Sequence, residues 1–356
     1  MNDWNIKLLH RVRMKISKNL FDEIISHEQL FEAWRVFRKE KRKRKDVQEF
    51  ERRVEENVFQ LHRELKAKTY KHGPYHSFFI CDPKVRHIRK AGVRDRLVHQ
   101  SVHTALTQVY EPKLIHHLYS ARVGKGTHRA VKALREMARK VSQNNTRYCW
   151  GLKCDVRKFY DTVDHKVLFK IITRTVRDSD VLWLIKEIIG SYHFEDTPGK
   201  GMPIGNLTSQ IFTNVYLNEL DQFIKHKLRA KYYLRYADDL LVLSHDKRWL
   251  ENLISEISDF LGERLLLELH PKKVIVRPLH QGIDFLGYVT LPEHQVLRTK
   301  TKRRMQRKLS QRLDSYFTGE IDSESMNQTL QSYLGILSHA DAFDLGQHIR
   351  NVYFWQ

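Results

Sequence analysis

Tyr232-Tyr233-Leu234-Arg235-Tyr236-Ala237-Asp238-Asp239-Leu240-Leu241-Val242-Leu243-Ser244 is the stretch on which the reading of this chain turns. Two short apolar runs, Tyr232–Tyr236 and Leu240–Ser244, flank a polar tip. That pattern predicts two strands joined as a β-hairpin. The tip is chemically odd. Adjacent carboxylates repel, and Asn-Gly would turn the chain at less cost. A plain polar turn is one reading of Asp238-Asp239; a place where carboxylates are needed is the other.

A third carboxylate favours the second reading. Tyr148–Val156 alternates, with Tyr148, Trp150, Leu152, Cys154 and Val156 on one face and Arg147, Lys153, Asp155 and Arg157 on the other. This predicts a half-buried strand with Asp155 projecting from the polar face. Clustered carboxylates raise their own pKa values unless a cation neutralises them. Mg²⁺ suits oxygen ligands and is usually held by one or two carboxylates plus substrate phosphates. Two such ions can clamp the attacking and leaving oxygens of an in-line phosphoryl displacement.

The surroundings are basic. Among 356 residues there are 63 Lys plus Arg against 42 Asp plus Glu, a formal charge of +21, which calls for a polyanionic partner. No run approaches a membrane span, and the segment up to Asn19 lacks a secretory core. Three cysteines cannot build a disulfide framework or a four-cysteine zinc site. The expectation is a soluble intracellular protein that meets polyanions.

Other elements follow from pattern. Leu30–Lys68 reads as helical and contains the dense basic run Arg38–Lys45. Tyr75–Asp82 and Val85–Ile88 read as short strands broken by Pro83, followed by a helix through Tyr110. Arg86, Arg89, Arg94 and Arg96 crowd one stretch, as phosphate forks or as partners of Asp95 and other carboxylates. Asp164 is placed to cap a helix, and Gly205–Phe223 opens another. Trp249–Leu261 is an amphipathic helix with Gly262 as its stop. Leu265–Leu269, Lys273–Arg277 and Ile283–Val289 read as strands. Beyond Arg298, Met305, Leu309, Leu313 and Phe317 recur every four residues, and Arg303, Arg304, Arg307, Lys308 and Arg312 form a basic face suited to nucleic acid. A second helix there carries Met326, Leu330, Tyr333 and Leu337.

Several blocks together resemble bacterial reverse transcriptases. Tyr236-Ala237-Asp238-Asp239 is similar to their Tyr-x-Asp-Asp box, and Asp155–Asp161 to their first catalytic strand. Gly201–Gln210 resembles the central glycine motif, Lys273 a lysine near the strand that follows, and Phe285-Leu286-Gly287-Tyr288 the primer-gripping turn. Val93–Arg96 and Tyr119–Gly126 resemble blocks of the fingers and early palm. The resemblance covers about residues 75–290. It implies an α+β right-hand polymerase: an N-terminal extension (1–29), fingers (30–116, with 165–200 contributing), an antiparallel-sheet palm (117–295) and a helical thumb (296–356). The ending leaves room for a thumb and not for an RNase H or endonuclease domain.

The resemblance also implies roles. Asp155, Asp238 and Asp239, with the Val156 carbonyl, would hold two Mg²⁺. Tyr160 would lie under the sugar of the incoming nucleotide, Arg86 and Arg94 would meet its triphosphate, and Gly205 would let backbone approach it. Lys273 would protonate the leaving pyrophosphate. Ile204-Gly205-Asn206-Leu207-Thr208-Ser209-Gln210 departs from the commoner Gln-Gly…Ser-Pro form. With Ile204 and Gln210 it looks like the enzymes of diversity-generating retroelements, which misincorporate opposite template adenines during mutagenic retrohoming. Ile204 offers only apolar contact where Gln would hydrogen-bond, and lost polar recognition lowers discrimination. The implied partners are a template RNA, cDNA or RNA–DNA duplex, dNTPs and a small basic accessory protein, in the cytoplasm of a bacterium or phage host. Retron, phage-defence and maturase-like enzymes are alternatives, as is a nonenzymatic RNA-binding protein on the same fold.

Overall fold

The computed structural model describes residues 19–82 and 84–353; most of the anticipated 1–29 extension and the break at Pro83 lie outside them. The chain divides into two compact units. One takes the described part of Met1–Ile115 with Arg157–Asp221 and Phe260–Glu268. The other takes His116–Val156, Gln222–Asp259 and Leu269–Gln356.

The first unit is mainly helical. Its early helices are α1 (Leu20–Ile25), α2 (His27–Arg38), α3 (Lys45–Arg52) and α4 (Val54–Lys66). The single helical stretch expected over Leu30–Lys68 is thus three pieces, because the basic run turns. Lys39–Arg44 lies outside helix, where self-repelling charges gain water. Strands β1 (His76–Ile80) and β2 (Arg86–Lys90) form a two-stranded antiparallel sheet. The following helix α5 (Val93–Tyr110) buries Leu97, Val98, Val102 and Leu106 completely. After α7 (Phe159–Thr162), Asp164 caps α8 (His165–Thr173) by accepting from the Lys166 and Val167 N–H groups at 2.9 and 3.0 Å. Asp178 caps α9 (Ser179–Gly190) in the same way. α10 (Leu207–Gln222) comes next, and its Phe212, Val215, Tyr216 and Leu220 are buried.

The second unit is built on a four-stranded antiparallel sheet in the order β4-β5-β3-β6. The strands are β3 (Trp150–Asp155), β4 (Tyr232–Tyr236), β5 (Asp239–Ser244) and β6 (Ile275–Pro278). Helix α6 (Thr127–Val141) lays Val131, Leu134, Met137 and Ala138 into one core with Leu234, Leu241 and Leu243 of the sheet. A smaller sheet, β7 (Ile283–Phe285), β8 (Tyr288–Thr290) and β9 (Gln295–Leu297), adds Ile283, Phe285 and Tyr288 to that core. Its first turn has Leu286 at φ 51° and Gly287 at φ 91°, the positive pair a two-residue turn favours. Helices α12 (Thr299–Phe317), α13 (Ser323–Leu337) and α14 (Phe343–Tyr353) follow.

Five expectations are corrected. The strand expected over Ile283–Val289 is the β7–β8 hairpin, because the chain turns at Leu286-Gly287. Helix α11 (Lys247–Leu265) runs through Gly262, since burying Leu261 and Leu265 outweighs the ~1 kcal/mol a mid-helix glycine costs. Consequently Leu265–Leu269 is not a strand; only Leu269 bridges, to Val156. Phe317 closes the apolar stripe of α12 in sequence but is 73% exposed. The basic C-terminal region also holds a third helix, α14, which the two-helix reading omitted.

Candidate active site

The three carboxylates meet at one end of the main sheet. Asp155, the last residue of β3, is the cross-strand partner of Asp239, the first residue of β5. Tyr236 pairs with Asp239 to close the β4–β5 hairpin, leaving Ala237 and Asp238 as its two-residue tip. Alternation puts Asp155 and Asp239 on the same sheet face, directly opposite residues sharing a face.

The tip is strained and held. Ala237 has φ 53°, a region that disfavours residues with a Cβ. Its N–H donates to Ser120 Oγ at 2.9 Å, and its carbonyl accepts from Arg235 Nη1 at 2.9 Å. Arg235 is fully buried. Tyr119, beside Ser120, donates its N–H to the Arg235 carbonyl at 3.0 Å. The Tyr119–Gly126 block therefore braces the hairpin tip.

Electrostatics mark the site. Asp238 is pushed up to about 6, first by burial and then by the charges of Asp239 and Asp155. Burial raises Asp239 as well, opposed by Lys153. Lys273 Nζ donates to Asp155 Oδ1 at 2.7 Å. Lys153 Nζ donates to the Asp284 carbonyl at 3.1 Å, and Arg298 pairs with the Asp284 carboxylate. The Arg298 N–H also donates to the Gly287 carbonyl at 2.9 Å. These three cations ring the acidic face. Among the described residues no three acidic, His or Cys side chains are drawn into a closed metal-ligating group, and Asp155 is engaged by an ammonium instead. The donor set still suits a hard divalent cation. It consists of carboxylate oxygens, among them half-buried Asp238, which desolvation and two acidic neighbours make hold its proton unusually tightly. Val156, adjacent to Asp155, has its side chain buried and faces Leu269 through an isolated bridge.

The predicted basic face of Arg303, Arg304, Arg307, Lys308 and Arg312 lies on α12 in the second unit, and the other predicted nucleotide-site positions lie in the first. Phe159 is buried and packs edge-on against Tyr216 and Tyr160. It takes the core position, leaving Tyr160 half-buried. The Tyr160 carbonyl accepts from Met202 N–H at 2.7 Å, which ties Tyr160 to the Gly201–Gln210 loop. Gly205 has φ 110°, and a Cβ there would meet Ile88 Cγ2 at 2.8 Å. The loop needs glycine for its own backbone. Ile204 is half-buried and Gln210 exposed. Arg86 is exposed on β2. Arg94 binds Glu64 and Asp95 and lies 4.7 Å over the Tyr70 ring. Arg96 pairs with Asp46 at 2.8 Å.

Two residues in the first unit were quoted in the sequence without a role of their own. Arg89 N–H donates to the Ile204 carbonyl at 3.0 Å, and its guanidinium lies 5.1 Å over Tyr192. Asn206 donates to the Arg89 carbonyl at 2.7 Å and accepts from Ala91 N–H at 3.0 Å. Together they stitch β2 to the glycine loop. Asn206 directly follows Ile204-Gly205, and its place in that motif was the available signal. In the second unit Lys153, Arg298 and Asp284 were likewise unassigned. Lys153 was readable as the charged neighbour two before Asp155.

The profile of the family described as reverse transcriptase (RNA-dependent DNA polymerase) matches residues 76–290. The chain belongs to that family. Its helices and antiparallel sheets make the fold class α+β, and the family's enzyme class is RNA-directed DNA polymerase. Protein YkfC of Escherichia coli K12 is 23% identical over 280 residues, covering 68% of this chain and 71% of that one. The group II intron-encoded protein LtrA of Lactococcus lactis is 22% identical over 306 residues. That match covers 66% of this chain and 49% of LtrA, so the chain spans about half the length of that relative. A telomerase structure from Candida albicans, in complex with a fragment of telomeric RNA, aligns at TM-score 0.49 and 12% identity. It covers 76% of this chain and 56% of that one. Reverse transcriptases as a family use divalent metal ions. No helix among the described residues is long and apolar enough to cross a membrane.

Proposed function

We propose that this chain copies a template RNA into cDNA from dNTPs, with Asp155, Asp238 and Asp239 as the catalytic carboxylates. The observation that carries the reading is the Asp155–Asp239 register pair with Asp238 at the strained tip beside it. Those three side chains, with the Val156 carbonyl, would hold two Mg²⁺, which when bound lower the charge cost of bringing a 3′-hydroxyl to a triphosphate. Lys273 holds Asp155 in place and carries a proton within reach of the acidic face, where it can be given to the departing pyrophosphate. Tyr160 packs under the incoming sugar, with Phe159 fixing its backbone. Arg86 and Arg89 offer guanidiniums to the triphosphate; Arg94 reaches it only by leaving Glu64 and Asp95. Gly205, Ile204 and Gln210 belong to the same nucleotide site. In this reading residues 30–116 with 165–200 are fingers, 117–295 palm and 296–356 thumb. The thumb's Arg303, Arg304, Arg307, Lys308 and Arg312 follow the duplex backbone without reading sequence.

The finer assignment is a diversity-generating retroelement enzyme that errs at template adenines. It is supported by Ile204 in place of glutamine and by the Ser209-Gln210 ending. A small basic accessory protein would then be a partner. A maturase-like enzyme is the second reading, favoured by LtrA's being an intron-encoded protein. Primer extension on RNA with Mg²⁺ tests the common claim: the parent extends and Asp238→Ala does not. Equal signal from both refutes the two-metal reading, and no extension by either leaves a nonenzymatic RNA-binding protein. A near-identical repeat pair differing at adenines beside the gene supports the first assignment, and flanking intron RNA supports the second.

A further inference from the structure

A buried hydrogen-bond chain in the first unit runs from the segment before β1 to the first turn of α10. His99 lies on α5 and is buried. Its Nδ1 is 3.2 Å from Thr208 Oγ1, and its Nε2 is 3.1 Å from His72 Nε2. His72 Nδ1 in turn meets the Gly73 carbonyl at 2.6 Å. The far end is anchored. The Gly73 N–H donates to the buried Asp95 carboxylate at 3.1 Å, and the Tyr70 hydroxyl donates to the same group at 2.8 Å. The His72 ring stacks on Tyr75 at 4.7 Å between centroids.

Elementary valence fixes the direction of the chain. A carbonyl only accepts, so His72 Nδ1 carries a proton. With both imidazoles neutral, His72 Nε2 is then bare and accepts from His99 Nε2–H. His99 Nδ1 is left as the acceptor, and the Thr208 hydroxyl donates to it. Burial, joined by the charges of His72 and Arg96, holds His99 well below the usual imidazole range, which keeps that ring uncharged. The two histidines therefore sit in opposite tautomers, each set by the other.

The near end of the chain is the nucleotide loop. Thr208 is buried and is the second residue of α10, between Gly205 and Gln210. Ser209 Oγ beside it donates to the Pro203 carbonyl at 2.8 Å, folding the loop back on the helix. The Asn206 side chain is committed to β2. Thr208 ties this turn of the helix to α5.

We propose that His99 is a positioning residue for nucleotide binding: its Nδ1 lone pair, aimed by His72, holds Thr208 and with it the Gly201–Gln210 loop. The nucleotide part rests on the function proposed above; the hold on the loop does not.

Isosteric variants separate the two ends of the ring. His99→Asn puts an amide oxygen at the place of Nδ1 and keeps the Thr208 link. His99→Gln reaches the place of Nε2, keeps the His72 link and abandons Thr208. Each loses one buried link, so a mere loss of stability moves them together. Thr208→Val deletes the hydroxyl at nearly constant shape, and Thr208→Ser retains it. Amide hydrogen exchange over residues 201–206 is expected to quicken about two- to tenfold, the weight of one hydrogen bond, in His99→Gln and Thr208→Val. It should stay at the parental level in His99→Asn and Thr208→Ser. In primer extension on RNA, His99→Gln and Thr208→Val should raise the KM for dNTPs by the same factor at unchanged kcat. Ring ¹⁵N spectra at about pH 8, where imidazoles of ordinary basicity are neutral, should show His99 protonated on Nε2 and His72 on Nδ1. Equal exchange in His99→Asn and His99→Gln, or a proton on His99 Nδ1, overturns the proposal. Quickened exchange with an unchanged KM overturns the link to nucleotide. If the loop responds as expected and the parent extends nothing, the hold on the loop stands and the polymerase reading falls.

Discussion

Replacing Asp238 by asparagine should make the metal-free protein more stable at high pH while abolishing synthesis. Asp238 holds its proton up to about pH 6 in the folded state, against an ordinary aspartate near 3.9 in the unfolded chain. A carboxyl raised by folding contributes stability that is fully present below the unfolded value and lost as pH rises through the folded one. The difference of about two units corresponds to about 3 kcal/mol. Wild type without metal should therefore lose about that much between pH 4 and pH 8, beyond whatever other groups contribute. Asp238→Asn lacks this loss, and the titrations of groups not coupled to Asp238 cancel in the comparison. Urea unfolding of both proteins across that range reads the difference directly. Adding Mg²⁺ should restore wild type at pH 8, do little at pH 4, and leave the variant unmoved. Parallel stability curves for the two proteins, or equal Mg²⁺ stabilisation of both, would refute the idea that the hairpin tip is a charge-strained cation site.

Gly205→Ala should cost about 1–3 kcal/mol of stability in thermal unfolding, since it imposes both a φ of 110° and a 2.8 Å approach to Ile88. Arg89→Ala should raise the KM for dNTPs more than it lowers melting temperature, whereas Arg94→Ala, which strips Glu64 and Asp95 of their partner, should do the reverse; steady-state kinetics beside calorimetry separates the two. Ile204→Gln should reduce errors opposite template adenines, read by sequencing the cDNA, and an unchanged error spectrum removes Ile204 from the account. RNA affinity should fall steeply with salt, and a flat response in anisotropy would show that the basic faces do not track phosphate.

The parts of this molecule that were legible in sequence are those governed by short periods. Alternation placed β3 and put Asp155 on the polar face, and β4, β5 and the hairpin tip followed from two apolar runs with a polar break. Asp164 announced its helix because a cap acts within three residues. What escaped depends on partners far apart in the chain. Gly262 reads as a stop until the burial of Leu261 and Leu265 is counted. Arg89 and Asn206 are 117 residues apart and meet only when β2 lies along the glycine loop. Of the two readings open to Arg94, pairing with Asp95 beside it was legible, while its second partner, Glu64, lies 30 residues upstream.

The central claim is that three side chains remote along the chain act as one centre for joining nucleotides. Incorporation of labelled dNTPs onto a DNA primer annealed to RNA, in Mg²⁺, measures it most directly, with Asp155→Asn, Asp238→Asn and Asp239→Asn beside the parent. The account predicts extension by the parent and background alone from each of the three. Extension by any one of them at the parent's rate would contradict it.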